Sequence, residues 1–320
     1  QMDQGEGVEG ADRKEDPLDF ALWKAQKEGE DTAWDAPWGR GRPGWHIECS
    51  AMAEEILGVD FEIHGGGSDL VFPHHENEIA QTCGATGEPF VNLWMHNGFV
   101  NIDNEKMSKS LGNFFTVRSV LPTLRHPEVL RYFILACHYR GPINYSLDQL
   151  VQADGALGRI YTALRDLPMA PVPAQGEHTA RFHAAMDDDF NTPEGFAVLQ
   201  SLTRDINTAR AAGQERPAAV LGAELKALSN VLGLGFLDPA EWFRRSAQVR
   251  ALAGADGGAE EVVPPATSLS DEEIHQRIAS RNAARKAKNW AESDRIRDEL
   301  AMLGVLLEDK PGGITTWRRK

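Results

Sequence analysis

Cysteine is scarce. The 320 residues hold three, Cys49, Cys83 and Cys137, an odd number with no CxxC pair. That argues against a disulfide scaffold and for a reducing cytoplasm. No apolar run is long enough to span a bilayer, so no membrane partner is expected. The opening QMDQGEGVEGADRKEDP has no apolar stretch like that of a signal peptide. It reads as a charged loop, and a domain that opens in such a loop is expected to begin mid-protein. Positive charge is also short: 33 Lys/Arg against 48 Asp/Glu leave a net −15, which speaks against a uniformly basic nucleic-acid binder.

What is present is unevenly spread. From His275 to Lys320 there are 11 Lys/Arg and 6 Asp/Glu, a net +5, whereas the preceding residues carry 22 against 42, a net −20. A basic tail on an acidic body fits a polyanion contacted locally, and it equally fits a solvated helix face. Apolar residues make up 42% of the chain, enough for a core in two or three domains.

The texture divides the chain. Asp19 to about Val120 reads as mixed α/β: FEIHGGGSDLVF as a strand, a glycine turn and a second short element, HHENEIAQTCGA as a helix ending near Gly84, and NLWMHNGFVNI as a strand followed by a turn at Asp103-Asn104. From Pro127 the spacing is helical, with Val129, Leu130, Phe133, Ile134 and Cys137 on one face. Later helical stretches predict an antiparallel bundle. Ser246 to Ser270, rich in Ala, Gly and Pro, predicts a linker. A last module is predicted as a broken helix opened by a Ser270/Glu273 capping box, then a hairpin. The fold class expected is therefore an α/β nucleotide-binding, Rossmann-like partial domain, followed by an α-helical bundle and a small mixed α+β C-terminal module. The boundaries are 1–120, 121–245, a linker over 246–270, and 271–320.

Three stretches carry chemistry. NEKMSKSLGN packs Lys106 and Lys109 with two hydroxyls beside a glycine. Lysine is a compact charge on a flexible stem, able to reach phosphates and stabilise a transferring phosphoryl or nucleotidyl group. In GRPGWHIECSAMAEEILG, Trp45 and His46 stand just before a helical stretch that begins at Cys49. A thiol near a helix N-terminus has a lowered pKa and is a good metal ligand, although a lone cysteine is more often a small buried residue. In FPHHENEIA, His74 and Glu78 lie four apart and so share a helix face. Thiolate, imidazole and carboxylate together suit zinc, with three ligands one short of a tetrahedron. In HGGGSDL, three glycines let a backbone approach a ligand, with His64 and Asp69 bracketing the turn.

Trp45–Ser50, His64–Glu78 and Lys106–Asn113 together resemble the cysteinyl-tRNA synthetases, a family of class I aminoacyl-tRNA synthetases whose KMSKS loop closes over ATP. The likeness runs from DPLDFALWK through MDDDFNTPE to TTWRRK. It implies ATP-dependent activation of L-cysteine to cysteinyl-adenylate and transfer to tRNA(Cys). One zinc ion per chain would hold the substrate thiol through Cys49, His74 and Glu78, with magnesium accompanying ATP. It assigns Lys106 and Lys109 to catalysis and His64, Gly65, Gly66, Asp69 and Lys109 to ATP. Trp45, His64 and Asp69 fall to the substrate cysteine, and Arg285, Trp290, Asp294 and Asp309 to tRNA. Trp290 reads equally as core. The family's HIGH-type motif and first zinc cysteine are not found before Cys49, so the resemblance implies a C-terminal portion, a fourth zinc ligand outside this sequence and a piece inactive alone. A monomer is implied. The readings kept open beside it are a cysteine ligase of mycothiol biosynthesis and a non-catalytic zinc- or tRNA-binding remnant.

Overall fold

A computed structural model describes residues 14–16, 18–107, 115–173, 176–245, 269–310 and 313–319. Most of the expected linker, and Lys109 with the rest of the loop over 108–114, lie outside the described residues. The chain divides into two compact units, Gln1–Phe99 and Val100–Lys320.

The first unit opens with an antiparallel pair, β1 (Trp23–Ala25) and β2 (Gly41–Pro43), and continues into α1 (Trp45–Leu57). A parallel βαβ unit follows: β3 (Phe61–Gly67), α2 (Glu76–Thr86) and β4 (Val91–Asn97), with His64 opposite Trp94 and Gly66 opposite His96. Helical crossovers are what join parallel strands. Between β3 and α2 come a 3-10 turn, Ser68–Leu70, and a π-helical turn, Val71–His75.

Local expectations need three corrections here. The glycines are not a turn: Gly65, Gly66 and Gly67 finish strand β3. Gly66 and Gly67 are there for room. A Cβ on Gly66 would lie 2.6 Å from the His75 ring, and one on Gly67 2.4 Å from Asp69 Oδ1. Helix α2 runs past Gly84 to Thr86 and stops at Gly87, whose positive φ of 76° suits a left-handed cap. Helix α1 starts at Trp45, which places Cys49 in its second turn.

The second unit begins with β5 (Val100–Ile102), which turns through Asp103 and Asn104, φ 48° and 68°, into β6 (Glu105–Lys106) and lies parallel to β7 (Ile143–Tyr145). The helices are α3 (Val117–Val120), α4 (Pro127–Leu135), α5 (Leu147–Leu164), α6 (Glu177–Asp187), α7 (Thr192–Ala211), α8 (Glu215–Val231) and α9 (Pro239–Arg244). Leu150, Leu157 and Tyr161 of α5, Leu199, Leu202 and Ile206 of α7, and Leu225 of α8 are wholly buried at helical spacing. Each such aliphatic side chain contributes about 1.5–3 kcal/mol by burial. Val120 is buried in the same core, so the end of the stretch read as α/β packs with helices. The face predicted on α4 is partly solvated: Ile134 is 42% exposed, and its place in the core goes to Tyr132.

The C-terminal module pairs α10 (Asp271–Lys286) with α11 (Trp290–Met302) and closes with the antiparallel hairpin of β8 (Val305–Lys310) and β9 (Ile314–Arg319). The Ser270/Glu273 capping box forms. Ile274, Ile278, Ile296, Leu300, Val305 and Trp317 make a separate small core.

Candidate metal and amino-acid site

The site belongs to the first unit and is built by α1, the π-helical turn and α2. Cys49 comes from α1, His74 from the turn and Glu78 from the first turn of α2. One donor atom from each lies within 4.8 Å of the other two. The four-residue spacing of His74 and Glu78 brings Nε2 and Oε2 to 3.8 Å, as one helix face requires.

Glu78 is the centre. Its side chain is 0% exposed, and among the described residues neither carboxylate oxygen has a hydrogen-bond partner. Burial pushes its pKa up to about 7. A buried carboxylate without donors is costly unless a proton or a cation satisfies it. A sulfur, an imidazole and this carboxylate match the donor types zinc takes, so the residues present fit that ion.

A ring of imidazoles surrounds Glu78. His64 Nε2 is 3.4 Å and His75 Nε2 4.0 Å from Oε2. His46 Nδ1 meets His74 Nδ1 at 2.9 Å, and His75 Nδ1 meets His96 Nε2 at 2.7 Å. Burial lowers the pKa of His46, His64 and His74, and takes His75 down to about 4 with help from the neighbouring histidines. Neutral imidazole is the form that ligates. His64, His75 and Glu78 make a second triad of donors within 4.8 Å, one that shares the carboxylate with the first. The Trp45 indole, 52% exposed, stacks on the His74 ring.

The Cys49 thiol departs from expectation. Its pKa is raised, by burial first and then by Glu78 and Glu48. A position in the second helical turn is too deep for unpaired amides to stabilise a thiolate. Asp69 sits exposed on the 3-10 turn. Gly65 is exposed beside Met95 of β4, and Gly66 packs against His75. Lys106 ends β6, paired with Asn101.

In the C-terminal module, Trp290 opens α11 and is 58% exposed, so it is not a core residue. Asp294 pairs with Arg297 at 3.3 Å. Asp309 is already engaged. Arg281, itself buried, grips it bidentately at 2.9 and 2.8 Å, Arg285 reaches it at 2.9 Å, and Thr315 donates at 2.8 Å. Assigned to tRNA by the resemblance, it is a structural hub of the module. The terminal arginines are spoken for as well: Arg318 pairs with Glu308 at 3.2 Å, and Arg319 with Asp271 and the Leu269 carbonyl, each at 2.8 Å. Sequence reasoning missed Arg281, whose signal was a basic residue on the apolar face of α10.

Three family models match in order: tRNA synthetases class I (C) catalytic domain over residues 1–155, DALR domain over 181–237, and Cysteinyl-tRNA ligase anticodon binding domain over 269–318. The chain is 57% identical to the cysteine–tRNA ligase of Methylococcus capsulatus over 321 residues and 57% identical to that of Alkalilimnicola ehrlichii over 318. Each match takes in 99% of this chain and 64% of the relative, so the chain spans just under two thirds of their length. Among solved structures, Mycobacterium tuberculosis methionyl-tRNA synthetase in complex with methionyl-adenylate is similar over 53% of this chain and 39% of that one, at 19% identity and a TM-score of 0.37.

Proposed function

Since the chain belongs to the cysteinyl-tRNA synthetase family, we propose that it is the part of a cysteine–tRNA ligase that selects the amino acid by its sulfur and carries the tRNA. The reaction joins the carboxylate of L-cysteine to the α-phosphate of ATP, releasing pyrophosphate, and then passes the cysteinyl group to the terminal adenosine of tRNA(Cys). The observation that carries the reading is the buried, donor-free Glu78 carboxylate within 4.8 Å of Cys49 and His74 donors.

Cys49, His74 and Glu78 would hold zinc, with the fourth position left to the substrate thiol or to a ligand outside the described residues. Zinc when bound supplies a soft Lewis acid that prefers sulfur to the oxygen of serine, a preference a plain pocket provides only about a hundredfold. The chain's own residues do the positioning. His46, bonded to His74 Nδ1, fixes that ring and leaves Nε2 towards Glu78. Trp45 covers the same ring from the solvent side and offers an aromatic wall to a small amino acid. His64 sets a second imidazole beside Glu78. The parallel β3–α2–β4 unit serves as part of a Rossmann-like nucleotide-binding domain, with Gly65, Gly66 and Asp69 at the adenylate. Lys106 and Lys109 place positive charge on the triphosphate of ATP, which magnesium accompanies.

The helices carry tRNA along their length, and the C-terminal module reads the anticodon. There Trp290 stacks on an unpaired base, Arg285 contacts phosphate and Asp294 meets a base edge. The working protein is a cytoplasmic monomer, and this piece by itself does not aminoacylate. A ligase using an amino sugar is not favoured, since an anticodon binding domain matches 269–318.

Cobalt substitution tests the metal assignment without any need for turnover. The chain should take up one Co2+ with a thiolate charge-transfer band that Cys49→Ser abolishes. A band that survives in Cys49→Ser would refute the reading.

A further inference from the structure

Helices α4, α5 and α7 enclose a cavity of about 340 Å3 that the zinc-site chemistry leaves unused. Its floor is apolar and aromatic. Tyr132, Ile160, Phe196 and Leu199 are all buried, and the Tyr132 and Phe196 rings lie 4.2 Å apart. Its rim is cationic: Arg159 and Arg204 are exposed on facing helices. Among the described residues no carboxylate lines the cavity and neither guanidinium pairs with one. In a chain of net charge −15, two arginines left unneutralised over an aromatic floor stand out as a site for a planar group attached to anions.

The rim also leads somewhere. Arg165 follows Arg159 by six residues, about 9 Å along the helix direction, and pairs with Glu308 of β8 at 3.3 Å. Beside it Lys310 of β8 pairs with Asp166 at 3.0 Å. Arg210, near the end of α7, donates to the Thr162 carbonyl at 3.3 Å and to the Arg165 carbonyl. The end of α5 beyond the cavity is thus tied by ion pairs to the module whose family model is an anticodon binding domain.

We propose that this cavity is a nucleotide seat: one unstacked base of a bound RNA enters it against Tyr132 and Phe196, while Arg159 and Arg204 hold the flanking phosphates. The proposal rests on the tRNA reading above and adds to it a base-and-phosphate contact on the bundle itself. Phosphate neutralised by arginine brings salt dependence, and aromatic floors bind bases of any identity. The seat therefore fixes position along the RNA, and identity is read elsewhere.

The test is tRNA binding by the full chain, followed by fluorescence anisotropy between 50 and 200 mM salt. Arg159→Gln/Arg204→Gln changes only exposed residues. It should bind at least tenfold more weakly at 50 mM and lower the slope of log K against log salt by about 1.4–1.8, two phosphates' worth. Ala156→Met, which fills the cavity from α5, should weaken binding severalfold while keeping the wild-type slope. An unchanged slope and affinity in the double variant would overturn the phosphate contacts, and unchanged affinity in Ala156→Met would overturn the seated base. Failure of the wild-type chain to bind tRNA at 50 mM would instead bring down the tRNA reading on which the seat depends.

Discussion

The Trp45 indole lies over the His74 imidazole with centroids 4.4 Å apart and only 15° between the planes. One face of the ring that would ligate zinc is thereby closed off, and the His46 ring holds its Nδ1. A metal held here would depend in part on groups that do not touch it.

His46→Ala should therefore retain the metal more weakly. Loss of an outer partner of a ligating histidine costs about 10–100-fold in metal affinity. Competition with a zinc chelator measures it, and Cys49→Ser should lose more than His46→Ala.

The glycines of β3 differ in tolerance. Gly66→Ala drives a Cβ to 2.6 Å from the His75 ring, whereas at Gly65 the nearest atom is the Met95 carbonyl oxygen at 3.7 Å. Gly66→Ala should destabilise the first unit by about 1–3 kcal/mol, with Gly65→Ala close to neutral. Thermal melts of the two variants make the comparison.

Glu128 ties the bundle together. Buried, it accepts from the Tyr161 hydroxyl at 2.7 Å and from the Gly235 and Phe236 amides at 3.0 and 3.2 Å. Burial and this carboxylate together push the Tyr161 phenol well above its usual range. Glu128→Ala strands three donors and should cost about 2–4 kcal/mol, read by urea unfolding.

Much of this was legible beforehand. The i, i+4 relation of His74 and Glu78, the hairpin turn at Asp103-Asn104 and the capping box at Ser270 are local, and local spacing decides them. The contacts His46–His74, His75–His96 and Arg281–Asp309 join residues 21 to 28 apart, and only packing brings them together. Helix α6 went unread because Phe182 and Ala185 alone are buried along it, too few to mark a stripe. The triple glycine misled for a physical reason: glycine usually signals a turn, and here it clears space for a ring.

Acid should loosen the C-terminal module. The Arg281 guanidinium, then Thr315 and Arg285, hold the Asp309 carboxyl well below the usual carboxylate range against the opposing effect of burial. A depressed carboxylate contributes its full stability above the ordinary aspartate value of about 3.9 and loses it as pH falls towards the folded value. Trp317 fluorescence, followed from pH 6 to pH 2, should show a transition below pH 4. In Asp309→Asn the module should be weaker at neutral pH and flatter across that window.

Anomalous scattering at the zinc edge, from crystals of the full chain grown with zinc, tests the central claim most directly. We predict one peak per chain, about 2.0–2.3 Å from Cys49 Sγ, a His74 ring nitrogen and a Glu78 oxygen. A peak held by His64, His75 and Glu78, with Cys49 unbound, or no peak at all, would contradict the account.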